Sequence, residues 1–437
     1  MKIKLKTFAV LACTALCVLP LTACKDKGKC TVLGKPASVT AASYEEKQSQ
    51  QYVRFKATVE NFASQFAADA YADYGKDNNF AVSPVSVYMA LSLAAECSDG
   101  TTRNEIVNAL GTSYEQLRTN FSVLYRSLFY ERKTGRKITG ILYPTNSVWL
   151  NEGASVNGDC IDALSDYYFC HSYSADFAND NGNANKAVRY FASENTRGLI
   201  DKNFDLPQET VFTLINTLYL KTLWNVYGDE LPYAPVAYGF KNADGSVTNR
   251  KLMTGYYKSG RAYKGETFST FYTSTYDGYK LKFILPNDGY TADDVFTAEN
   301  ISAVNALNDY NDYDHDNKIH YYTRCLFPEY KCSYDGYLNE TLGKKFGIKS
   351  LFDLDKCDLS PIMQDTACCG KVRHVTELKV DRKGIEGASV VVIPGAGSPG
   401  PDGYEEVYRD FVLDRSFGFI ISDRDDVTLF SGVVRSV

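Results

Sequence analysis

Two overlapping motifs near the C-terminus contain residue types that bind phosphates or attack carbonyl groups. The segment Gly395–Gly400 has the G-x-G-x-x-G spacing of a dinucleotide-binding loop, and Ser398 lies in a pattern that mimics a hydrolase nucleophile elbow. A dinucleotide-binding loop must lead into a helix, which Pro399 and Pro401 prevent. An elbow serine also needs a backbone N–H on the next residue, and Pro399 has none. The segment is therefore predicted to be an exposed loop with neither chemistry.

An acidic run at 312–316 resembles the beginning of a calcium-binding loop. Its sixth position is Asn317, where such a loop needs glycine, and its twelfth is Thr323, where it needs glutamate. The run is therefore predicted to be a solvated acidic loop. Only four histidines are present, and no paired C-x-x-C spacing occurs, so we predict neither a metal site nor a cofactor. These histidines are His171, His315, His320 and His374.

The composition is that of a folded globular protein. The chain has 437 residues, a formal net charge of −6, 44% apolar residues and 23% charged residues. This balance excludes disorder throughout the chain, because a disordered chain has low hydrophobicity and a high charge. The lack of a basic excess argues against nucleic acid as a partner.

The N-terminus has the pattern of an export signal. Three lysines within the first six residues precede an apolar run over 7–21, which is short for a membrane span. The Leu-Thr-Ala-Cys sequence at 21–24 resembles the lipobox of bacterial lipoproteins. We therefore expect residues 1–23 to be a signal peptide and Cys24 to carry lipid. Residues 24–50 lack apolar periodicity and are predicted to be a flexible lipidated tether. The expected location is the bacterial cell envelope, at the outer membrane surface or on the periplasmic or extracellular side.

The elements that must position any functional residues are a mixture of helices and strands. Apolar residues recur at helical spacing over 51–72, and a second helix is predicted from Ser83-Pro84 to about Ala95. A short helix is predicted over 339–346. Strand-like segments are predicted at 211–219, 280–285, 376–380, 390–393, 417–421, 427–430 and 433–434. Because these elements do not alternate as βαβ units, the sequence predicts an α+β fold.

Several segments, in order along the chain, resemble the serpin family. They are Asn-Phe-Ala-Val-Ser-Pro-Val-Ser at 79–86, Leu-Ile-Asn-Thr-Leu-Tyr-Leu-Lys at 214–221 with Trp224 after it, Phe-Ile-Leu-Pro at 283–286, and Leu-Phe-Ser-Gly-Val-Val at 429–434. The resemblance extends over about residues 55–437. It implies one serpin domain at 51–437 with three β-sheets, eight or nine helices and an exposed reactive loop at about 384–408.

The resemblance also implies a mechanism and the residues that control it. In this family a protease cuts the loop, which inserts as a new strand into the main sheet and carries the acyl-linked protease with it. A hydrogen-bonded shutter beneath the sheet corresponds here to Ser83, Ser86, Asn216 and His374. The breach, where insertion begins, corresponds to Trp224.

The loop hinge departs from the pattern that inhibitory serpins usually show. The hinge comprises Gly384, Ile385, Glu386, Gly387, Ala388 and Ser389. Inhibitory members usually have acids or Glu-Lys before the first glycine, but this chain has Arg382 and Lys383. The first of these positions often carries a glutamate paired with a lysine. In an inserted strand Ile385, Gly387 and Ser389 would face the core and Glu386 and Ala388 would face outward. No charge would then be buried, although Pro394 removes one ladder donor.

Two positions for the scissile bond remain open. Family spacing from Gly384 places it at Ser398–Pro399, and counting back from Ser416 places it near Tyr404–Glu405. The loop is therefore longer than usual. It contains no lysine or arginine between Lys383 and Arg409, which argues against trypsin-like targets. Chymotrypsin-, elastase- and papain-like proteases are the expected partners.

The sequence therefore predicts a protease inhibitor and not an enzyme. The expected activity is inhibition of serine-type endopeptidases, and cysteine-type endopeptidases are further possible targets. The inhibitor is expected to be a lipid-anchored monomer that traps its target. The alternative is a non-inhibitory surface binding protein with the same fold. The unusual hinge, Pro394 and the long loop rich in proline and glycine favour that alternative.

Overall fold

The computed structural model describes residues 27–135, 137–225, 230–258, 260–307, 313–369, 372–386 and 404–437. Within them the chain forms three β-sheets and ten α-helices, which confirms the α+β class. The ten include two helices of only four and five residues, so the count slightly exceeds the expected eight or nine. In this part of the chain no helix is long and apolar enough to cross a membrane.

The two long helices predicted near the N-terminus are both present. The helices are α1 Tyr44–Gln48, α2 Gln50–Tyr74, α3 Pro84–Glu96, α4 Gly100–Ala109, α5 Tyr114–Ser127, α6 Gly158–Tyr168, α7 Asn181–Asn195, α8 Ala292–Val295, α9 Ala298–Ala306 and α10 Asn339–Lys344. Helix α2 begins after Ser49, whose side chain accepts a hydrogen bond from the Tyr52 N–H. Helix α3 has proline in its first turn and is buried on nearly every face, as expected of a helix inside the core.

The largest sheet has eight strands. They are β1 Thr31–Gly34, β3 Tyr130–Thr134, β4 Lys137–Asn151, β5 Cys170–Ala175, β6 Phe212–Leu223, β14 Tyr330–Tyr337, β15 Arg373–Val380 and β16 Gly384–Ile385. Their order is β1-β5-β4-β6-β16-β15-β14, with β3 paired to β4. Strand β6 is the apolar run predicted at 211–219. Leu218 and Leu220 pack into the main core with α3, and Ile215 packs on the opposite face against the cluster around α7. Burial on both faces explains why the run lacks polar alternation.

Two smaller sheets complete the fold. The six-stranded sheet has the order β2-β19-β18-β11-β10-β9, and its strands are β2 Phe80–Val82, β9 Ala262–Lys264, β10 Phe268–Ser274, β11 Lys280–Pro286, β18 Phe417–Ser422 and β19 Thr428–Val434. The five-stranded sheet contains β7 Tyr233–Lys241, β8 Val247–Thr254, β12 Tyr313–Asp314, β13 Ile319–Phe327 and β17 Glu405–Val412. Its order is β12-β13-β8-β7, and β17 pairs in parallel with β13. The two short strands predicted at 427–430 and 433–434 are one continuous strand, β19.

Two short parts of the segment predicted to be a flexible tether are attached to the domain. Strand β1 extends the edge of the large sheet by pairing with β5. Helix α1 is closed by a capping box between Ser43 and Glu46, and the Glu46 carboxylate forms an ion pair with Arg126 on α5. These elements are four and five residues long, too short for a periodic apolar pattern. The expectation of flexibility is therefore wrong for 31–34 and 44–48. Cys24 and the signal peptide lie outside the described residues.

Candidate functional site

The loop hinge begins inside the large sheet. Strand β16 pairs antiparallel with both neighbours, since Ile385 lies opposite Val380 of β15 and Thr222 of β6. Strands β6 and β15 have no paired residues with each other in the part of the chain described here. We call the space between them the seam. Because β16 occupies one end of the seam in the antiparallel direction, the sheet already contains the first residues of a strand between β6 and β15.

A tight turn reverses the chain between β15 and β16. The Asp381 N–H donates to the Gly384 carbonyl at 3.0 Å, and the Asp381 carboxylate accepts the Lys383 N–H at 2.8 Å. A Cβ on Gly384 would lie 2.0 Å from the Thr222 carbonyl oxygen, a distance that no side chain permits. Glycine is therefore required here by the close approach of two backbones. This explains the hinge glycine that the sequence analysis proposed.

Trp224 holds this turn from the end of β6. Its indole Nε1 donates to the Asp381 carbonyl at 2.6 Å, and its backbone N–H donates to the Lys383 carbonyl at 3.2 Å. The ring is 4% exposed and packs edge-to-face on Phe327 with centroids 5.6 Å apart. The residue assigned to the breach thus lies where the seam opens. A strand lengthening from β16 would pass directly beside it.

The two cations before the hinge glycine have an acidic partner. Arg382 Nη1 lies 2.7 Å from Glu230 Oε2, and Lys383 Nζ lies 3.9 Å from the other oxygen of that carboxylate. The Arg382 guanidinium also lies 4.5 Å above the Tyr233 ring. The resemblance suggests a glutamate before the hinge that pairs with a lysine elsewhere. Here the charges are exchanged, because the basic residues precede the hinge and the acidic residue, Glu230, lies elsewhere in the chain. Sequence analysis missed Glu230, because nothing in the local sequence connects it to a residue so distant in the chain.

Three of the four proposed shutter residues form one buried hydrogen-bonded group. Ser83 Oγ donates to the Leu429 carbonyl at 2.7 Å and lies 3.0 Å from Ser86 Oγ. The Ser83 backbone N–H donates to His374 Nε2 at 3.1 Å. Thr376, which sequence analysis did not identify, places its hydroxyl 2.8 Å from the same nitrogen. This group connects the beginning of α3 to β15 and β19.

Asn216 lies on the other side of the seam. Its Nδ2 donates to Asn146 Oδ1 at 2.6 Å, across the β4–β6 ladder. Asn216 and His374 line one cavity of about 40 Å³ between the sheet and α3, together with Ser86. Asn216 Oδ1 is buried and has no hydrogen-bond partner in the described residues. Three of the four residues, Ser86, Asn216 and His374, therefore border one cavity, but Asn216 is hydrogen-bonded within its own half of the sheet.

Burial makes the stability of the shutter depend on pH. The pKa of His374 is lowered to about 4 because burial penalises the charged ring. The unfolded chain takes up a proton near pH 6.5, so stability should fall as the pH drops from about 7 to 4. The expected loss is about 3 kcal/mol in the free energy of unfolding. We expect His374→Gln to flatten this dependence in denaturant titrations, whereas the exposed-residue control His315→Gln retains it. An equal slope in both variants would contradict this assignment.

The backbone changes conformation directly after β16. Glu386 has a φ of +61°, and its N–H donates to the Lys379 carbonyl at 2.8 Å. Its carboxyl Oε2 is buried and has no hydrogen-bond partner in the described residues, and burial raises the pKa of the carboxyl group. The alternation predicted for an inserted strand, with Glu386 facing outward, is therefore not present here. The extended backbone ends at Ile385. Gly387, Ala388 and Ser389 lie outside the described residues.

The C-terminal end of the loop is fixed to the five-stranded sheet. Tyr404 Oη lies 2.7 Å from His315 Nδ1, and the Glu405 N–H donates to the Lys318 carbonyl at 2.8 Å. Glu405 is the first residue of β17 and lies opposite Ile319. A protease must bind its substrate as a free extended segment, so this placement disfavours Tyr404–Glu405 as the cleaved bond. Ser398 and Pro399 lie outside the described residues.

The comparisons with known proteins agree on one family. Residues 57–437 match the family model described as Serpin (serine protease inhibitor). Serine protease inhibitor 42Dd of Drosophila melanogaster is 24% identical over 394 residues, which cover 86% of this chain and 97% of the relative. Human neuroserpin is 23% identical over 82% of this chain and 86% of its own length.

Solved structures have the same fold at low identity. Native tengpin, a thermophilic serpin, superposes with a TM-score of 0.73 at 20% identity, covering 94% of this chain and all of tengpin. Thyroxine-binding globulin in complex with thyroxine superposes with a TM-score of 0.71 at 18% identity, covering 88% of this chain and 99% of that protein.

Proposed function

The chain belongs to the serpin family, and from that premise we propose that it inhibits endopeptidases by trapping them through insertion of its reactive loop. Serpins are generally protease inhibitors and not enzymes, although the family also contains non-inhibitory members. The observation that carries the proposal is β16. Its two residues pair with both sides of a seam in which β6 and β15 are not paired to each other in the described chain.

The proposed reaction begins as ordinary proteolysis. The protease nucleophile attacks a loop carbonyl, the peptide bond breaks, and the new amino group leaves with the C-terminal fragment, which β17 holds in its sheet. The N-terminal fragment stays bonded to the enzyme as an acyl ester or thioester. Extension of β16 down the seam then carries the acyl-enzyme away before water hydrolyses the bond. The result is a kinetic trap and not an equilibrium complex.

The loop composition limits the target proteases. No lysine or arginine occurs between Lys383 and Arg409, so a trypsin-like S1 pocket has no suitable residue there. Val391 to Ser398 offers small and aliphatic residues that suit elastase-, subtilisin- or papain-like enzymes. A chymotrypsin-like enzyme would need Tyr404, whose position next to β17 makes it a less accessible choice.

The proposal is tested by inhibition that survives dilution. A soluble form starting after Cys24 should be used, because β1 and α1 belong to the folded domain. It is incubated with one protease from each class, diluted at least a hundredfold and assayed with a peptide substrate. We expect activity to remain lost for at least one elastase-, subtilisin-, chymotrypsin- or papain-like enzyme. Full recovery in every case would reject the proposal.

A second candidate function is that of a non-inhibitory binding protein. The left-handed backbone of Glu386 and its half-buried carboxyl group favour this candidate, since both must rearrange before β16 can lengthen. Thyroxine-binding globulin shows that the fold supports ligand binding in another protein. A protein of this kind would be cut in its loop without inactivating the protease.

We further propose that Cys24 carries a lipid that anchors the monomer to the bacterial cell envelope, where it protects surface components from proteases. The lipobox-like sequence supports this location. Cys24→Ser should abolish incorporation of labelled palmitate by expressing cells and release the protein from the membrane fraction. Cys30→Ser is the matched control, because Cys30 is an exposed thiol six positions away and should leave labelling unchanged. Labelling that persists in Cys24→Ser would contradict the anchor.

A further inference from the structure

Two buried cysteines lie close together where α3 meets α6. Cys97 follows the last residue of α3, Cys160 lies in the first turn of α6, and both are free thiols in the structure. The Cys160 thiol donates a weak hydrogen bond to the Glu96 carbonyl at 3.9 Å, and Glu96 directly precedes Cys97. The Cys160 sulfur is therefore within roughly 7 Å of the Cys97 Cα atom. Two cysteines on backbones this close are candidates for a disulfide.

A third thiol nearby has a different partner. Cys170 begins β5, is buried, and donates to the carbonyl of the next residue, His171, at 3.4 Å. Burial raises the pKa of the Cys97 thiol well above its ordinary value, and Cys160 raises it further by more than Cys170 does. Among the described residues no group of three or more metal-ligating side chains could hold an ion. The thiols therefore do not form a metal centre here, and Cys97 and Cys160 are the closer pair.

The burial of these thiols determines when they can react. A buried thiol with a raised pKa contains little thiolate, which is the form that attacks a disulfide. Oxidation is therefore expected while the chain folds, before α3 and α6 pack against each other. Once formed, a bond buried at this contact would be shielded from soluble reductants. Export, which we propose for this chain, would expose it to an oxidising compartment during folding.

From these observations we propose that Cys97 and Cys160 form a structural disulfide between α3 and α6 when the chain folds in the presence of a disulfide oxidant. One thiolate attacks the oxidant disulfide, forms a mixed disulfide and releases one thiol of the oxidant. The second thiolate attacks the mixed disulfide and releases the other. The two cysteines are oxidised, and the oxidant is reduced to two thiols. The inference does not depend on protease inhibition.

The bond would connect helices that are attached to opposite sides of the seam. At the beginning of α3, the Ser83 N–H donates to His374 of β15. At the end of α6, the Tyr168 carbonyl accepts a hydrogen bond of 2.9 Å from Asn146 Nδ2 of β4, which pairs with β6. A covalent bond between the two helices would therefore restrain movement of one side of the seam relative to the other.

The first test maps disulfides in the unaltered chain starting after Cys24. The protein is refolded with reduced and oxidised glutathione, then unfolded and alkylated so that every remaining thiol is labelled. Chymotrypsin cuts after the aromatic residues at 167–169 and thereby separates Cys160 from Cys170. We expect mass spectrometry to find the peptides of Cys97 and Cys160 linked, with the loss of two hydrogen atoms. Alkylation of both cysteines, or a link from either one to any other cysteine, would overturn the proposal.

Thermal melts give a second measurement. About 60 residues separate the two cysteines, and closing a loop of that length restricts the unfolded chain. Protein refolded with glutathione should unfold about 3 to 5 °C above protein refolded in a reductant. Cys160→Ala should abolish this difference. Cys170→Ala, the matched control, removes a neighbouring buried thiol and should retain it. Equal differences in both variants would contradict the pairing, and the peptide map decides the question if a variant fails to fold.

Discussion

Cleavage of the loop between Glu386 and Tyr404 is expected to raise the unfolding temperature by more than about 10 °C. In the proposed mechanism the cut frees the N-terminal part of the loop to continue β16 down the seam between β6 and β15. Each ladder hydrogen bond so formed contributes about 1 kcal/mol, and about ten become possible. Burial of Val391 and Ile393 adds about 2 kcal/mol for each side chain. Among the described residues the strand ends at Ile385, so β16 gains these contacts only by lengthening.

The measurement is a pair of thermal melts, before and after limited proteolysis by an enzyme that cuts only within 387–403. Mass spectrometry of the two fragments confirms the position of the cut. Melting temperatures that agree within a few degrees would show that the cut loop does not insert. That outcome would favour the second candidate function, a non-inhibitory binding protein.

Ile385→Arg is expected to reduce formation of the trapped complex by more than a hundredfold and to convert the protein into an ordinary substrate. Ile385 is completely buried, and it pairs with Val380 and Thr222 within the main core. A guanidinium at this position would be buried without an acidic partner, which costs several kcal/mol. If insertion extends β16 as proposed, a strand that cannot bury residue 385 cannot lengthen.

Burial of Ile385 in the intact protein affects its stability as well as trapping. From sequence, the isoleucine becomes buried only after insertion, so the variant should leave the intact fold unaffected. Since Ile385 is buried here before cleavage, the variant should also lower the unfolding free energy of the intact protein. Ile385→Val is the matched control and should cost only about 1 kcal/mol. Rates of complex formation follow from gel densitometry, and trapping by Ile385→Arg at the normal rate would contradict insertion through this hinge.

The elements that sequence analysis located correctly are long and strongly patterned. Helices α2 and α3 and strand β6 have periodic or continuous apolar residues, because each packs along its whole length against the core. Strand β1 and helix α1 escaped prediction, since a four-residue strand is stabilised by its partner β5 and not by its own sequence. Tertiary pairing decided the structure of β1, whereas α1 begins with a local capping box that five helical residues do not reinforce with an apolar pattern.

The residues of the candidate site also differ in whether the local sequence identifies them. Gly384, Trp224 and the four proposed shutter residues can be named from local sequence because their neighbours form a recognisable pattern, and their roles stay predictions. The ion pair between Arg382 and Glu230 joins distant parts of the chain and has no local signal. The left-handed backbone of Glu386 accompanies the hydrogen bond from its N–H to the Lys379 carbonyl, which also joins separate parts of the chain. Neither follows from strand alternation.

The most direct test of the proposed function is a denaturing gel of the soluble protein after incubation with each protease of the panel. The mechanism predicts a band that survives boiling in detergent, near the summed mass of the protease and the chain less its released C-terminal peptide. Sequencing that peptide identifies the cleaved bond, which we expect within 387–403. Clean cleavage of the loop by every protease, without such a band for any of them, would contradict trapping.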